Sequence, residues 1–188
     1  MSFLIKKGII SCCFILMAAS LMGQDKFFTK SGNIQFSSKG VIETIEATHR
    51  SVTCVLDSKT GDIQFAVLMK GFEFRKAMMQ EHFNENYVES DKYPKSEFRG
   101  QITNNSEVNY AKDGSYTVHI KGKLTLHGQT KDVEADGKIT VKDGKLIAAS
   151  KFKILMSEYD IDIPGSVAEN MSDTINITVN CTLEPLKQ

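Results

Sequence analysis

Four histidines and four cysteines are the residues of this chain best suited to chemistry, and their spacing does not assemble them into a site. His49, His82, His119 and His127 fall in no metal-ligand spacing, and neither C-x-x-C nor H-E-x-x-H occurs. A G-x-S-x-G elbow and a glycine-rich phosphate loop are both missing. Asp160-Ile161-Asp162 alternates as a strand would and does not make a calcium loop. His119 falls on the polar side of an alternating run, where solvent is its default partner, and His127 sits in a turn. His82 is either a contact for a ligand's polar head or a helix-capping group, the structural role being the commoner one. Asn-x-Ser/Thr matches at Asn104, Asn170, Asn176 and Asn180 are too cheap a pattern to imply glycosylation. The expectation is a protein without catalytic residues, metal or cofactor.

Two of the cysteines, Cys12 and Cys13, lie in a segment that reads as an export leader. Lys6-Lys7 make a positive start, Gly8 to Met22 is an uncharged and mostly apolar run, and Ala18, Ala19, Ser20 and Gly23 are the small residues of a cleavage region. Residues 1–23 are expected to be removed, leaving 24–188 as a single exported or secreted domain. Cleavage takes Lys6 and Lys7 with it, so 23 basic residues become 21 against 23 acidic ones. No run of Lys or Arg exceeds two, which leaves nucleic acid without an electrostatic footprint. Cys54 and Cys181 remain. Both fall on the apolar side of their strands and read as small buried thiols, with a disulfide as the alternative in an oxidising compartment.

The elements that must position any site are strands. Tyr116 to Leu126 alternates without fault, with Tyr116, Val118, Ile120, Gly122, Leu124 and Leu126 on one side. Val133 to Val141, Leu146 to Met156 and Ile175 to Leu183 do the same. Thr48 to Leu56 and Ile63 to Met69 make a hairpin around Gly61. Lys112-Asp113-Gly114 and Lys142-Asp143-Gly144 read as Asp-Gly hairpin turns. The stretch from Met78 to Gly100 breaks the pattern. Phe72 to Asn84 has the spacing of a short helix or covering loop, and Tyr93-Pro94 hinges it into a strand beginning at Lys95. It is either a connection packed on the core or a lid over a cavity.

No long amphipathic helix is available to cover these apolar faces, so the sheet must bury them on itself. The expected fold is all-β, an antiparallel barrel or sandwich with a short helical cover; at about eight strands a closed barrel has an interior that side chains fill or that holds one small ligand. The inward face carries Gly100, Gly122, Ala135, Gly137, Ala148 and Ser150, small residues that leave volume. That volume is either an apolar ligand cavity or space filled by Phe65, Phe98 and Phe152. The pattern by itself does not choose.

Three pieces in order carry a resemblance: Met78-x-x-x-His82-Phe83, the Tyr93-Pro94 hinge with Phe98, and Gly122 to Lys131, GKLTLHGQTK. With a closing loop holding Tyr159 and Pro164, the chain from about Phe27 to Leu183 resembles the YceI-like lipid/polyisoprenoid-binding family. The resemblance implies a lipocalin-like barrel holding a long isoprenoid or fatty-acyl chain, bacterial export to the periplasm, and binding rather than catalysis. It favours a cavity over a filled core. The candidate ligand contacts are then Phe65, Phe98, Gly122, Leu124, Ala135, Phe152 and Ile154 from the strands, and Phe74, Met78, Met79 and Phe83 from the cover. Transient contact with a membrane would serve ligand exchange, and the oligomeric state is left open.

Overall fold

Alternation every second residue becomes nine strands in the computed structural model, which describes residues 25–40, 44–162 and 171–186. In chain order they are β1 (Lys26–Gly40), β2 (Thr44–Asp57), β3 (Asp62–Leu68), β4 (Glu73–Phe74), β5 (Lys95–Ile102), β6 (Gly114–Leu126), β7 (Gln129–Lys142), β8 (Lys145–Leu155) and β9 (Met171–Pro185). One α-helix, α1 (Ala77–His82), runs into a π-helical turn, Phe83–Tyr87. The leader read at 1–23 and Pro164-Gly165 lie outside the described residues.

Hydrogen bonding follows the order β1-β9-β8-β7-β6-β5-β3-β2, and β1 also pairs with β2, which closes the sheet. The result is an eight-stranded antiparallel barrel, with β4 as an extra strand on β2. Closure gives every one of these eight strands a paired neighbour on both sides along at least part of its length. Turn chemistry sets two of the registers. His127-Gly128 and Asp143-Gly144 both have positive φ at the two central residues, the mirror-image turn that suits the twist of a hairpin. Asp113-Gly114 does not make such a turn, against the sequence reading. Gly114 opens β6, and β6 overshoots β5, which stops at the Ile102–Ile120 pair, so the connection is a longer loop with a 3-10 turn at Asn105–Glu107.

Inward side chains form two buried clusters along the barrel. One includes Leu56, Ile102, Val118, Ile139, Leu146 and Leu183; the other includes Val52, Phe72, Leu124, Met156, Tyr159 and Ile161. Leu56, Leu146 and Leu183 are fully buried, each contributing about 1.5–3 kcal/mol. Ile34, Phe65, Phe98, Phe152 and Ile177 touch both clusters yet stay only partly buried. Inward residues between two cores can keep exposed surface only if the interior is hollow there.

Cys54 and Cys181 are buried free thiols inside this wall. They belong to strands on either side of β1 and meet across Gly32, where an added Cβ would lie 2.6 Å from the Cys181 sulfur. The hydrogen bond to Cys181, together with burial, pushes the Cys54 thiol up, so its proton stays on Cys54. The same bond holds Cys181 below the usual thiol range.

Candidate functional site

The hollow is a cavity of about 470 Å³, within the ~300–1,000 Å³ typical of a small-molecule pocket. Its wall is apolar. β3 contributes Phe65 and Val67, β5 contributes Phe98, β6 contributes Ile120 and Leu124, and β8 and β9 contribute Phe152, Ile154 and Ile177. All of these obey the period-2 alternation that turns successive side chains to opposite faces.

At one end the cover closes over it. Met79, His82, Phe83, Tyr87 and Val88 reach the cavity from the helical segment, and Gly40 and Ile45 form the facing rim. The cover is held in place twice. Phe83 stacks into an aromatic cluster, 5.4 Å from Phe36, 5.6 Å from Phe72 and 5.0 Å from Phe74 between ring centroids. Such pairs are each worth about 0.5–1.5 kcal/mol beyond their buried area. At the other edge His127, in the β6–β7 turn, meets the Tyr159 carbonyl oxygen through Nδ1 at 3.0 Å and the Glu89 carboxylate through Nε2 at 2.9 Å. The Tyr93 ring packs edge-on against it at 4.6 Å. The His127 hydrogen bond is the main reason the Glu89 carboxyl lies below its ordinary range. His127 is thus a structural tie between cover, turn and the 3-10 segment Met156–Tyr159.

Polar groups near the cavity are few and mostly satisfied. The Ser96 hydroxyl donates to the Thr125 carbonyl oxygen at 2.8 Å. His82 stands exposed on the rim. His49 is buried beside Phe72, its Nε2 donating to the Leu68 carbonyl oxygen at 3.1 Å and its Nδ1 accepting from Ser51 N–H at 3.0 Å. Those partners define a neutral ring. Burial lowers the ring's proton affinity below the ordinary value, offset in part by the Leu68 bond and by Glu73. A histidine so depressed binds its proton more readily in the unfolded chain, so stability is full above the unfolded value and falls as the pH drops below about 6.5. Thermal melts from pH 7.5 to 5 should therefore show a falling midpoint, with a shallower fall in His49→Gln. Equal slopes in the two proteins would exclude His49 as the source.

The structure gathers most of the residues singled out from sequence. Phe65, Phe98, Leu124, Ala135, Phe152 and Ile154 line the cavity from the strands, and Phe74, Met79 and Phe83 line it from the cover side. Two are placed elsewhere. Met78 points outward and is 67% exposed, because the single turn of helix can aim only one of two adjacent methionines inward. Gly122 faces inward but does not line the cavity. It pairs with Gly100, and the Phe98 ring lies across both: a Cβ at either position would meet Phe98 Cζ at 2.6–2.7 Å. The two glycines make room for Phe98 and leave none for a ligand. Sequence reading did not include Ile34, Phe36, Phe72, Ile120, Val133 and Ile177 among the contacts, although the same alternation places most of them inside.

Comparison with known proteins now bears on this geometry. The family model described as YceI-like domain matches residues 26–183. The chain belongs to the YceI-like family. Among solved structures, a polyisoprenoid binding domain from Saccharophagus degradans implicated in plant cell wall breakdown superposes with a TM-score of 0.75 at 10% identity, covering 86% of this chain and 99% of that one. BcnA of Burkholderia cenocepacia gives 0.66 at 14% identity, with 81% and 95% covered. The Campylobacter jejuni YceI protein gives 0.54 at 17% identity, with 100% and 92% covered. At these identities the likeness is one of fold. No curated protein matches the chain. The YceI-like barrel here therefore surrounds a covered apolar space, and its function follows from what that space can hold.

Proposed function

We propose that this YceI-like protein binds one long apolar chain, isoprenoid or fatty-acyl, inside its barrel and carries or stores it after export from the cytoplasm. The observation that supports this best is the ring of inward aromatic and aliphatic side chains, Phe65, Phe98, Phe152, Ile34 and Ile177, left partly bare between two packed cores. A chain with little to hydrogen-bond suits such a wall, and its affinity would come from buried area at about 25 cal/mol per Å² before the costs of binding. A barrel with a filled core would leave no reason for five inward hydrophobic residues to keep exposed surface. The polyisoprenoid-binding description of the Saccharophagus degradans domain points the same way. Exposed Leu68 and Met78, beside the covered end, are the apolar groups best placed for brief contact with a membrane during exchange.

Organic-solvent extraction of protein purified from its native envelope, followed by mass spectrometry, tests the reading. A long-chain lipid at about one per protein is the expected result; a clean extract from freshly purified protein refutes it. The same preparation, sequenced from its amino terminus, is expected to start near Gln24. A chain still beginning at Met1, or at a lipid-modified Cys12, would refute export by the leader at 1–23.

A further inference from the structure

The wall of the barrel is not continuous. The β6–β7 ladder runs unbroken from Gly114–Val141 to Leu126–Gln129, and the β8–β9 ladder runs from Leu146–Leu183 to Leu155–Thr174. Between these two pairs the β7–β8 ladder covers only Lys142–Lys145 to Gly137–Ser150. Both strands continue past that fork, so Thr130–Asp136 and Lys151–Leu155 face each other with no backbone pairing between them. Neither stretch is frayed, since each is laddered on its other side. At the fork Ser150 Oγ donates to the Asp136 carbonyl oxygen at 2.7 Å, so a side chain takes up the first carbonyl beyond the last ladder pair. The cavity reaches this seam. It is lined by Val133 and Ala135 on one lip and Ser150 and Phe152 on the other, and at the fork it touches Lys138 and Ala149, which belong to the outer face.

The residues along the seam match if the register is simply continued. Outside, Asp136 would come opposite Lys151 and Glu134 opposite Lys153; inside, Ala135 would meet Phe152 and Val133 would meet Ile154. Opposite charges and apolar pairs directly across two strands both favour pairing. In the structure Asp136 holds His119 and Glu134 holds Lys121, while Lys151 and Lys153 are exposed with no ion-pair partner among the described residues. The two ends of the barrel differ from the seam. One is filled by the Leu56–Ile102–Leu146–Leu183 core, and the other lies under the cover pinned by Phe83 and His127. Passage at the seam breaks no ladder hydrogen bond.

We infer that the β7–β8 seam is a lateral portal into the cavity, through which an apolar chain passes between the strands, and which zips closed behind it with Asp136 against Lys151 and Glu134 against Lys153. This rests on the reading that the barrel holds such a chain. The rival route is the rim between the cover and Gly40–Ile45.

The chain from Gln24 onward, without Cys12 and Cys13, tests it when it carries Glu134→Cys and Lys153→Cys. Residues opposite each other in a closed ladder have Cβ atoms about 4.5–5.5 Å apart, near enough for a disulfide after small adjustment. Cys54 and Cys181 are buried and face each other, so the parent treated with diamide in the same way controls for their oxidation. Radiolabelled geranylgeraniol is the probe. The reduced variant, which lacks the Glu134–Lys153 pair, sets the reference rate of uptake. Oxidation with diamide before loading should slow uptake by about tenfold or more, as expected when entry requires a conformational change that has been blocked. Oxidation after loading should trap the probe, and reduction should release it. If the oxidised, empty variant takes up probe as fast as its reduced form, or if the two cysteines never cross-link, the portal is wrong while the binding reading stands. A parent that takes up no geranylgeraniol overturns both.

Discussion

Replacing Ala135 by phenylalanine is expected to empty the barrel of lipid while leaving it folded. Ala135 lies on β7 opposite Ile120, points inward and lines the cavity. It is only half-buried, so the space in front of its methyl group is open. A ring placed there occupies the volume that a bound chain would need. In a filled core the same change overpacks, costing about 1–3 kcal/mol. For a chain of this length each kcal/mol lowers the melting midpoint by about 2–4 °C. The two readings therefore separate on two measurements made together. With a ligand cavity, extracted lipid drops to background and the midpoint stays within about 2 °C of the lipid-free parent. A lower midpoint with lipid content unchanged would defeat the cavity reading.

Gly122→Ala is expected to have the largest effect on stability, and its sign is the informative part. Gly in an ordinary strand interior is destabilising by roughly 0.5–1 kcal/mol relative to Ala, so the change would normally help. Here the added Cβ would lie 2.5 Å from both the Arg99 carbonyl oxygen and the Gly100 Cα. Those are backbone atoms of the paired strand, which can yield only by spreading β5 from β6. Overpacking of this kind costs about 1–3 kcal/mol. Gly122→Phe adds the displacement of Phe98 to the same backbone clash, so it cannot serve as a simple plug for the cavity. Denaturant melts of Gly122→Ala against the parent decide the matter. A variant as stable as the parent would mean that β5 and β6 do not approach as closely as described.

Ala135 and Gly122 mark the limit of reading a cavity from small residues. Both face inward, both are small, and the period-2 pattern cannot tell them apart. Whether a small residue leaves space depends on what lies across from it. Opposite Gly122 is Gly100, and the Phe98 ring fills the hollow the pair creates. In front of Ala135 there is open cavity. Met78 and Met79 make a similar pair: the apolar character of both is plain in the sequence, but only the orientation of one helical turn puts Met79 inside and Met78 in solvent.

Alternation was enough to determine that this chain is an antiparallel sheet buried on itself, because a strand turns successive side chains to opposite faces whatever surrounds it. The break in the sheet was legible for a related reason: Tyr93-Pro94 disfavours helix locally, and the spacing from Phe72 to Asn84 suits a short helix or loop better than a strand, although Glu73–Phe74 forms the short β4. The seam between β7 and β8 was not legible. Both strands alternate as well along the unpaired stretch as along the paired one, and their charges even suit pairing. Backbone hydrogen bonds carry no side-chain signature, so where a ladder stops is set by the closure of the whole barrel. The tie between His127, Glu89 and Tyr159 likewise joins three segments distant in sequence, and only the folded chain brings them together.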